Sequence, residues 1–190
     1  MTKLFLFAPA GLSDEAILQC ATAAVAAGGC ASIVIPHKPL SELKLNITAL
    51  QKLGLATLLR DCDATAVLAA GADGLHLTDV AAMTAARSAL KNESLGFFAD
   101  TSRHIAMEAA EAGADYMAFA QTRQTTGEPI IGWWQDLTQI PSVAFDPVDA
   151  TVLPDVMTQN PDFIRPSDDM WQSPEMAAAV ISALMSGLKP

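Results

Sequence analysis

The sequence predicts a compact, single-domain α/β protein built as a (β/α)8 TIM barrel, and three observations carry that expectation. Residues 64–79, ATAVLAAGADGLHLTD, read as a short alanine-rich helix that stops at Gly71 and hands over to an apolar strand, Gly74-Leu75-His76-Leu77. A glycine suits the left-handed cap that ends a helix, and an unbroken apolar strand is one covered on both faces, as in a parallel sheet. The unit then recurs. Gly113-Ala114-Asp115-Tyr116 repeats Gly-Ala-Asp before another apolar strand, Gly28-Gly29-Cys30-Ala31 makes a weaker version, and a fourth join is expected at Asn160-Pro161-Asp162. A period in the low forties holds two compact βα units, and internal repetition of this kind is a strong architectural signal. Third, 190 residues is short for such a barrel, whose usual size is about 250, so connections must be minimal.

Taken in order, Leu4 to Ala8 is strand one, and Ser13 caps a helix that carries Asp14-Glu15 in its first turn and runs to Ala27. Ser32 to Ile35 is strand two, ended by Pro36. Pro39 opens the next helix and Gly54 stops it. Leu55 to Leu59 is strand three and Gly74 to Leu77 strand four. The helix from Val80 to Leu90 is amphipathic. Ser94 to Phe98 is strand five, Thr101 or Ser102 caps the following helix, and Tyr116 to Ala120 is strand six. Gln121 to Ile131 is the longest polar stretch, and Gly132 to Leu137 has room only for a short helix. Ser142 to Phe145 is strand seven. Two prolines between Asp146 and Met157 predict a broken or brief helix. Phe163 to Arg165 is strand eight, and Ser173-Pro174-Glu175 opens the last helix with a cap, a proline and an acid.

Composition narrows the function. The net charge is −10 with no basic run, which argues against nucleic acid and against anionic membranes as partners. No apolar run reaches the length of about 20 residues that spans a bilayer, and Met1 to Phe7 reads as a strand rather than a secretory leader. Cys20, Cys30 and Cys62 are an odd set without metal-type spacing, so free thiols in a reducing cytoplasm are expected, with Cys62 the sole candidate for a reactive one. In parallel barrels chemistry sits where strands end and helices begin. That rule selects His37, Lys38, Arg60, Asp61, Asp63, His76, Asp79, Asp100, Thr101, Gln121, Arg123, Asp146, Arg165, Ser167 and Asp168 without any motif.

Four segments in order carry a family resemblance: Leu58-Leu59-Arg60-Asp61, Gly71 to Leu77, Gly96 to Thr101, and Gly113 to Phe119. They are similar to the N-D, G-A-D-G-V-H-L, G-V-S-x-H-T and G-A-D-Y-V-G-F segments of the thiamine-phosphate synthases and thiazole tautomerases, which are compact TIM barrels. The resemblance covers residues 1 to 140 and fades beyond. It implies a transferase of thiamine biosynthesis that joins an aminopyrimidine methyl diphosphate to a thiazole phosphate carboxylate and releases pyrophosphate. Carried over by position, it implies catalytic roles for Lys38 and His76 and substrate contacts from Asp100, Thr125, Arg165 and Ser167. It also implies a Mg2+ ion on Asp61 and Asp79, with Asp63 an alternative to Asp61. The implied partner is a small molecule, and a homo-oligomer is left open.

The same comparison implies a reduced phosphate site. Val34 and Pro36 stand where the family has glutamine and arginine, Phe98 and Asp100 where it has serine and histidine, and Phe145-Asp146-Pro147-Val148 where it has a Gly-Gly turn. A glycine turn lets backbone N–H groups approach a phosphate, whereas an aspartate there repels it. Several candidates also have plain structural readings: Asp61, Asp79 and Asp100 as helix caps, His76 as a buried hydrogen-bonded histidine, Lys38 as a solvated loop lysine, Trp133-Trp134 as packing. Two function classes follow. One is an enzyme of thiamine metabolism, synthase or tautomerase, with His76 the acid-base group in the tautomerase case. The other is a catalytically silent barrel that binds another small ligand or a protein partner.

Overall fold

The computed structural model describes residues 1–122 and 127–188. Eight parallel strands close into a barrel in chain order, with β1 (Lys3–Phe7) pairing both β2 (Cys30–Pro36) and β8 (Phe163–Pro166). Between them lie β3 (Ala56–Arg60), β4 (Gly74–Leu77), β5 (Ser94–Asp100), β6 (Tyr116–Phe119) and β7 (Ser142–Val148). The intervening helices are α1 (Asp14–Ala27), α2 (Leu40–Lys52), α3 (Ala64–Ala70), α4 (Val80–Ala89), α5 (Arg103–Glu111), α6 (Ile130–Leu137) and α7 (Leu153–Met157). A 3-10 turn, Asp168–Trp171, precedes α8 (Pro174–Gly187), which packs against α1.

Side-chain alternation along each strand separates two cores. Residues such as Leu4, Leu6, Ile33, Ile35, Leu59, Leu75, Phe97 and Phe119 face outward into the main core under the helices. Phe5, Val34, Leu58, Tyr116, Ala118 and Val143 point inward and fill the barrel, with Phe7, Phe98, Phe145 and Phe163 packed on them. Trp134 is fully buried against Phe119 and donates its Nε1–H to the Ile140 carbonyl.

The Gly-Ala-Asp repeat has a physical purpose. Asp73 Oδ2 accepts the backbone N–H of Thr57 at 2.8 Å, Asp115 Oδ2 that of Leu95 at 2.8 Å, and Asp162 Oδ2 that of Ser142 at 2.8 Å. Each aspartate stands just before an even-numbered strand and holds the start of the odd-numbered strand preceding it. The fourth join, at Asp162, is therefore the same device as the two read from the motif. Gly71 caps α3 with φ of +72°, in the left-handed region.

Of the two caps the sequence offered for α5, Ser102 is the one used, its side chain accepting from the Ile105 N–H. Several boundaries differ from the sequence reading. Helix α6 begins two residues earlier, at Ile130. Strand β7 continues past Phe145 through Asp146-Pro147 to Val148, because the pairing with β8 slips between Ala144↔Ile164 and Val148↔Pro166. The bulge leaves Pro147 where no ladder donor is needed, which is how a strand tolerates proline.

Candidate functional site

The C-terminal mouth of the barrel holds a cavity of about 260 Å³, lined by Phe7, Arg60, Asp61, Cys62, His76, Leu77, Thr78, Asp79, Phe98 and Phe145. Its aromatic walls follow from alternation, since Phe7, Phe98 and Phe145 are the last inward-facing positions of β1, β5 and β7. Phe145 packs at 4.9 Å from Phe7 and 4.8 Å from Phe98, centroid to centroid.

Two arginines reach this aromatic layer from the ends of β3 and β8. The Arg60 guanidinium carbon lies 4.8 Å from the Phe7 centroid, and that of Arg165 lies 5.0 Å from both Phe7 and Phe145. Arg60 donates to the Ala8 carbonyl at 3.0 Å and pairs with Asp61 at 2.6 Å. Arg165 donates to the Phe145 carbonyl and binds both carboxylate oxygens of Asp168, at 2.6 and 2.9 Å. Each side chain is 15% exposed, and the Nε–H of each is buried without a partner. Buried donors of this kind are normally satisfied by water or a ligand.

His76 forms the floor. Its ring is stacked between Tyr116, at 5.8 Å and 15°, and Phe145, at 5.5 Å and 16°, and its Nδ1 is 2.8 Å from the Tyr116 hydroxyl. Burial, together with the positive charges of Arg60 and Arg165, pushes its pKa down to about 3, so the imidazole is neutral. Cys62 is not a nucleophile here: burial, then Asp63 and Asp61, push its pKa up to about 11, which leaves a thiol.

The remaining candidates fall into distinct places. Asp61 and Asp79 line the same cavity as His76. Asp61 is held at φ of +61° beside Arg60, and Asp79 caps α4, its Oδ1 accepting the Ala82 N–H at 3.0 Å. Asp63 caps α3, its Oδ1 accepting the Ala66 N–H at 2.9 Å, and does not line this cavity. Lys38 is drawn away from the cavity: its Nζ donates to Leu12 O at 3.2 Å and pairs with Asp14 at 2.5 Å, tying the segment after β2 to the start of α1. Asp100 ends β5 at φ of +53°, where its carbonyl accepts the Ala120 N–H. Ser167 caps the 3-10 turn, and its own N–H donates to Val148 O at 2.8 Å. Arg123, Thr125 and Thr126 lie outside the described residues.

Asp146 is tied to the two residues that follow Ala120, just beyond β6. Its Oδ2 accepts the backbone N–H of Thr122 at 2.9 Å and the Thr122 hydroxyl at 2.5 Å, and its backbone N–H and C=O are both bonded to the Gln121 amide. Sequence reasoning passed over Tyr116 and the aromatic walls. Strict alternation from Phe5 to Phe7 and from Gly96 to Phe98 was the signal that pointed to the walls.

Among the described residues no three His, Cys, Asp or Glu side chains gather to hold a metal ion. Asp61 and Asp79 offer two carboxylates on one cavity, the number with which Mg2+ is bound when substrate phosphates supply further ligands. No helix among the described residues is long and apolar enough to cross a membrane.

The family model for thiamine monophosphate synthase matches residues 4–164. Among curated relatives, the thiamine-phosphate synthase of Rhodospirillum centenum is 28% identical over 196 residues, covering 95% of this chain and 94% of the relative. That of Erythrobacter litoralis is 35% identical over 120 residues, 56% of each chain. Among solved structures, thiamine phosphate pyrophosphorylase from Pyrococcus furiosus superposes with a TM-score of 0.77 at 18% identity, over 97% of this chain and 94% of that one. A 3-hexulose-6-phosphate synthase does so at 0.72 and 17%, over 98% and 100%, which is a likeness of fold alone. With the family model spanning most of its length, this chain belongs to the thiamine monophosphate synthase family.

Proposed function

We propose that this protein is a thiamine-phosphate-synthase-type transferase of low turnover, joining an aminopyrimidine methyl diphosphate to a thiazole phosphate carboxylate with release of pyrophosphate and carbon dioxide. The observation that carries the reading is the meeting of Arg60 and Arg165 with the aromatic layer of Phe7, Phe98 and Phe145 at one mouth. Loss of pyrophosphate leaves a pyrimidine methyl cation. Aromatic faces favour a desolvated cation, and apolar walls keep water from intercepting it. The guanidiniums supply charge-assisted hydrogen bonds to the departing anion. Asp61 and Asp79 would hold a Mg2+ ion, whose chemistry is to neutralise diphosphate charge.

Low turnover follows from the other half of the mouth. Barrels commonly bind phosphate after strands seven and eight and at the N-terminus of a short extra helix. Here β7 runs on to Val148, the Ser167 N–H is already bonded to Val148 O, and the 3-10 turn opens with Asp168 and Asp169. The same closure favours a second reading, a barrel that binds one heterocycle and turns nothing over.

Calorimetry with thiazole phosphate carboxylate, and with pyrophosphate plus Mg2+, followed by an assay of thiamine phosphate formation, separates the two. Binding of both with slow product formation is expected. Binding without product selects the silent reading, and no heat with either ligand removes the synthase reading.

A further inference from the structure

The stacked histidine in the floor of the mouth lines the cavity and has one ring nitrogen, Nδ1, committed to the Tyr116 hydroxyl. Tyr116 comes from β6 and reaches His76 on β4 across β5, which is feasible because β5 carries Gly96 there: a Cβ on that residue would stand 1.8 Å from Tyr116 Cζ. The Tyr116 ring is also braced edge-on by Phe5, at 5.4 Å. Its hydroxyl is buried, and burial raises its pKa well above the ordinary tyrosine value, so it keeps its proton. That proton needs an acceptor, and His76 Nδ1, 2.8 Å away, is the hydroxyl's partner. A buried hydroxyl left without an acceptor is strongly disfavoured. The neutral imidazole carries one proton, so an Nδ1 that accepts from tyrosine must leave that proton on Nε2.

We propose that Tyr116 is a positioning residue: its O–H donates to His76 Nδ1, fixes the Nε2–H tautomer, and aims a neutral N–H donor into the cavity at an acceptor atom of the bound heterocycle. This rests on the proposed function for the identity of the ligand, but the tautomer itself does not. It also changes the role that the sequence suggested for His76. A histidine held this way is a fixed hydrogen-bond donor to a ring nitrogen or exocyclic oxygen, not a general base. The stacking of His76 between Tyr116 and Phe145 fixes the plane of the ring, so the donor direction is set by three strands at once.

The test has two arms. Nitrogen-15 NMR of the imidazole in the full-length protein should show Nδ1 bare and Nε2 protonated, and Tyr116→Phe, which keeps the stacked ring but removes the hydroxyl, should give mixed tautomers. A wild-type spectrum with the proton on Nδ1, or one that Tyr116→Phe leaves unchanged, overturns the proposal, and the wild-type spectrum decides even if the variant does not fold. In the second arm, calorimetry of Tyr116→Phe should show thiazole phosphate carboxylate or the aminopyrimidine diphosphate binding about tenfold more weakly, the size of one well-placed hydrogen bond. Inorganic pyrophosphate, which has no ring, should bind as to wild type. Equal weakening of both would make Tyr116 merely structural and overturn the ligand half. Should neither heterocycle bind wild type, the proposed function fails while the spectrum still decides the tautomer.

Discussion

Gly96 on β5 and Tyr116 on β6 form a pair in which the absence of one side chain makes room for the other: a Cβ on Gly96 would fall 1.8 Å from Tyr116 Cζ and 2.2 Å from its hydroxyl oxygen. The two residues are register partners in adjacent strands. Through that gap tyrosine reaches the histidine of β4, so the tilt of the His76 ring is set two strands away.

Gly96→Ala should therefore destabilise the fold by about 1–3 kcal/mol, the usual cost of overpacking a filled interior. Denaturant unfolding measures it. An unchanged midpoint would mean that Tyr116 has freedom to withdraw, and with it the constraint on His76.

The buried His76 makes stability depend on pH in a defined window. The unfolded chain takes up a proton here below about pH 6.5, while the folded chain refuses it until about pH 3. Stability is therefore fully present above pH 6.5 and falls as pH drops through that interval, by up to about 1.4 kcal/mol per pH unit from this group. Carboxylates add slopes of their own, so the measurement is the difference in slope between wild type and His76→Gln in unfolding at pH 7 and pH 5. Identical slopes would show that His76 is not the group responsible.

Arg165 should matter more for ligand than for fold. Its charge partner Asp168 is exposed and such pairs contribute little to stability, while a methionine keeps an apolar stem against the Phe7 and Phe145 rings that the guanidinium covers. Arg165→Met should weaken pyrophosphate and thiazole phosphate carboxylate binding about tenfold or more, since charge-assisted bonds are the strong ones. Calorimetry reads the affinity, and thermal unfolding should move little. Unaltered affinity would take the anion away from this side of the mouth.

The three aspartates of the repeat should behave alike. Asp73→Ala, Asp115→Ala and Asp162→Ala each remove the acceptor from the first N–H groups of β3, β5 and β7. Each loss should cost about 1–3 kcal/mol, the penalty for orphaning a buried donor, read by chemical denaturation. Each carboxylate also accepts from a side chain of a helix, Gln51 for Asp73, Arg87 for Asp115 and Gln135 for Asp162, so the three costs should be similar.

Much of this barrel was legible in the chain because its devices are local. Gly71 ends a helix through its own backbone freedom, Ser13, Asp79, Ser102 and Ser173 cap helices three residues on, and alternation sorts inward from outward side chains. The Gly-Ala-Asp repeat is also local, which is why its fourth copy was found without the full motif. Boundaries failed where pairing slipped, as at Asp146-Pro147-Val148, since a bulge is a property of two strands.

The amino-acid sequence by itself determined the fold class, the strand order and the face on which a site would form, because these follow from periodicity, capping and chain direction. Only the tertiary structure decided what stands in that site. Asp146 is held in place by Thr122 and Gln121, which follow another strand. Lys38 is lost to Asp14, Arg60 and Arg165 converge from β3 and β8, and His76 is neutral because distant residues surround it. Those outcomes depend on which long-range neighbour reaches each charge first, and linear spacing carries no record of that.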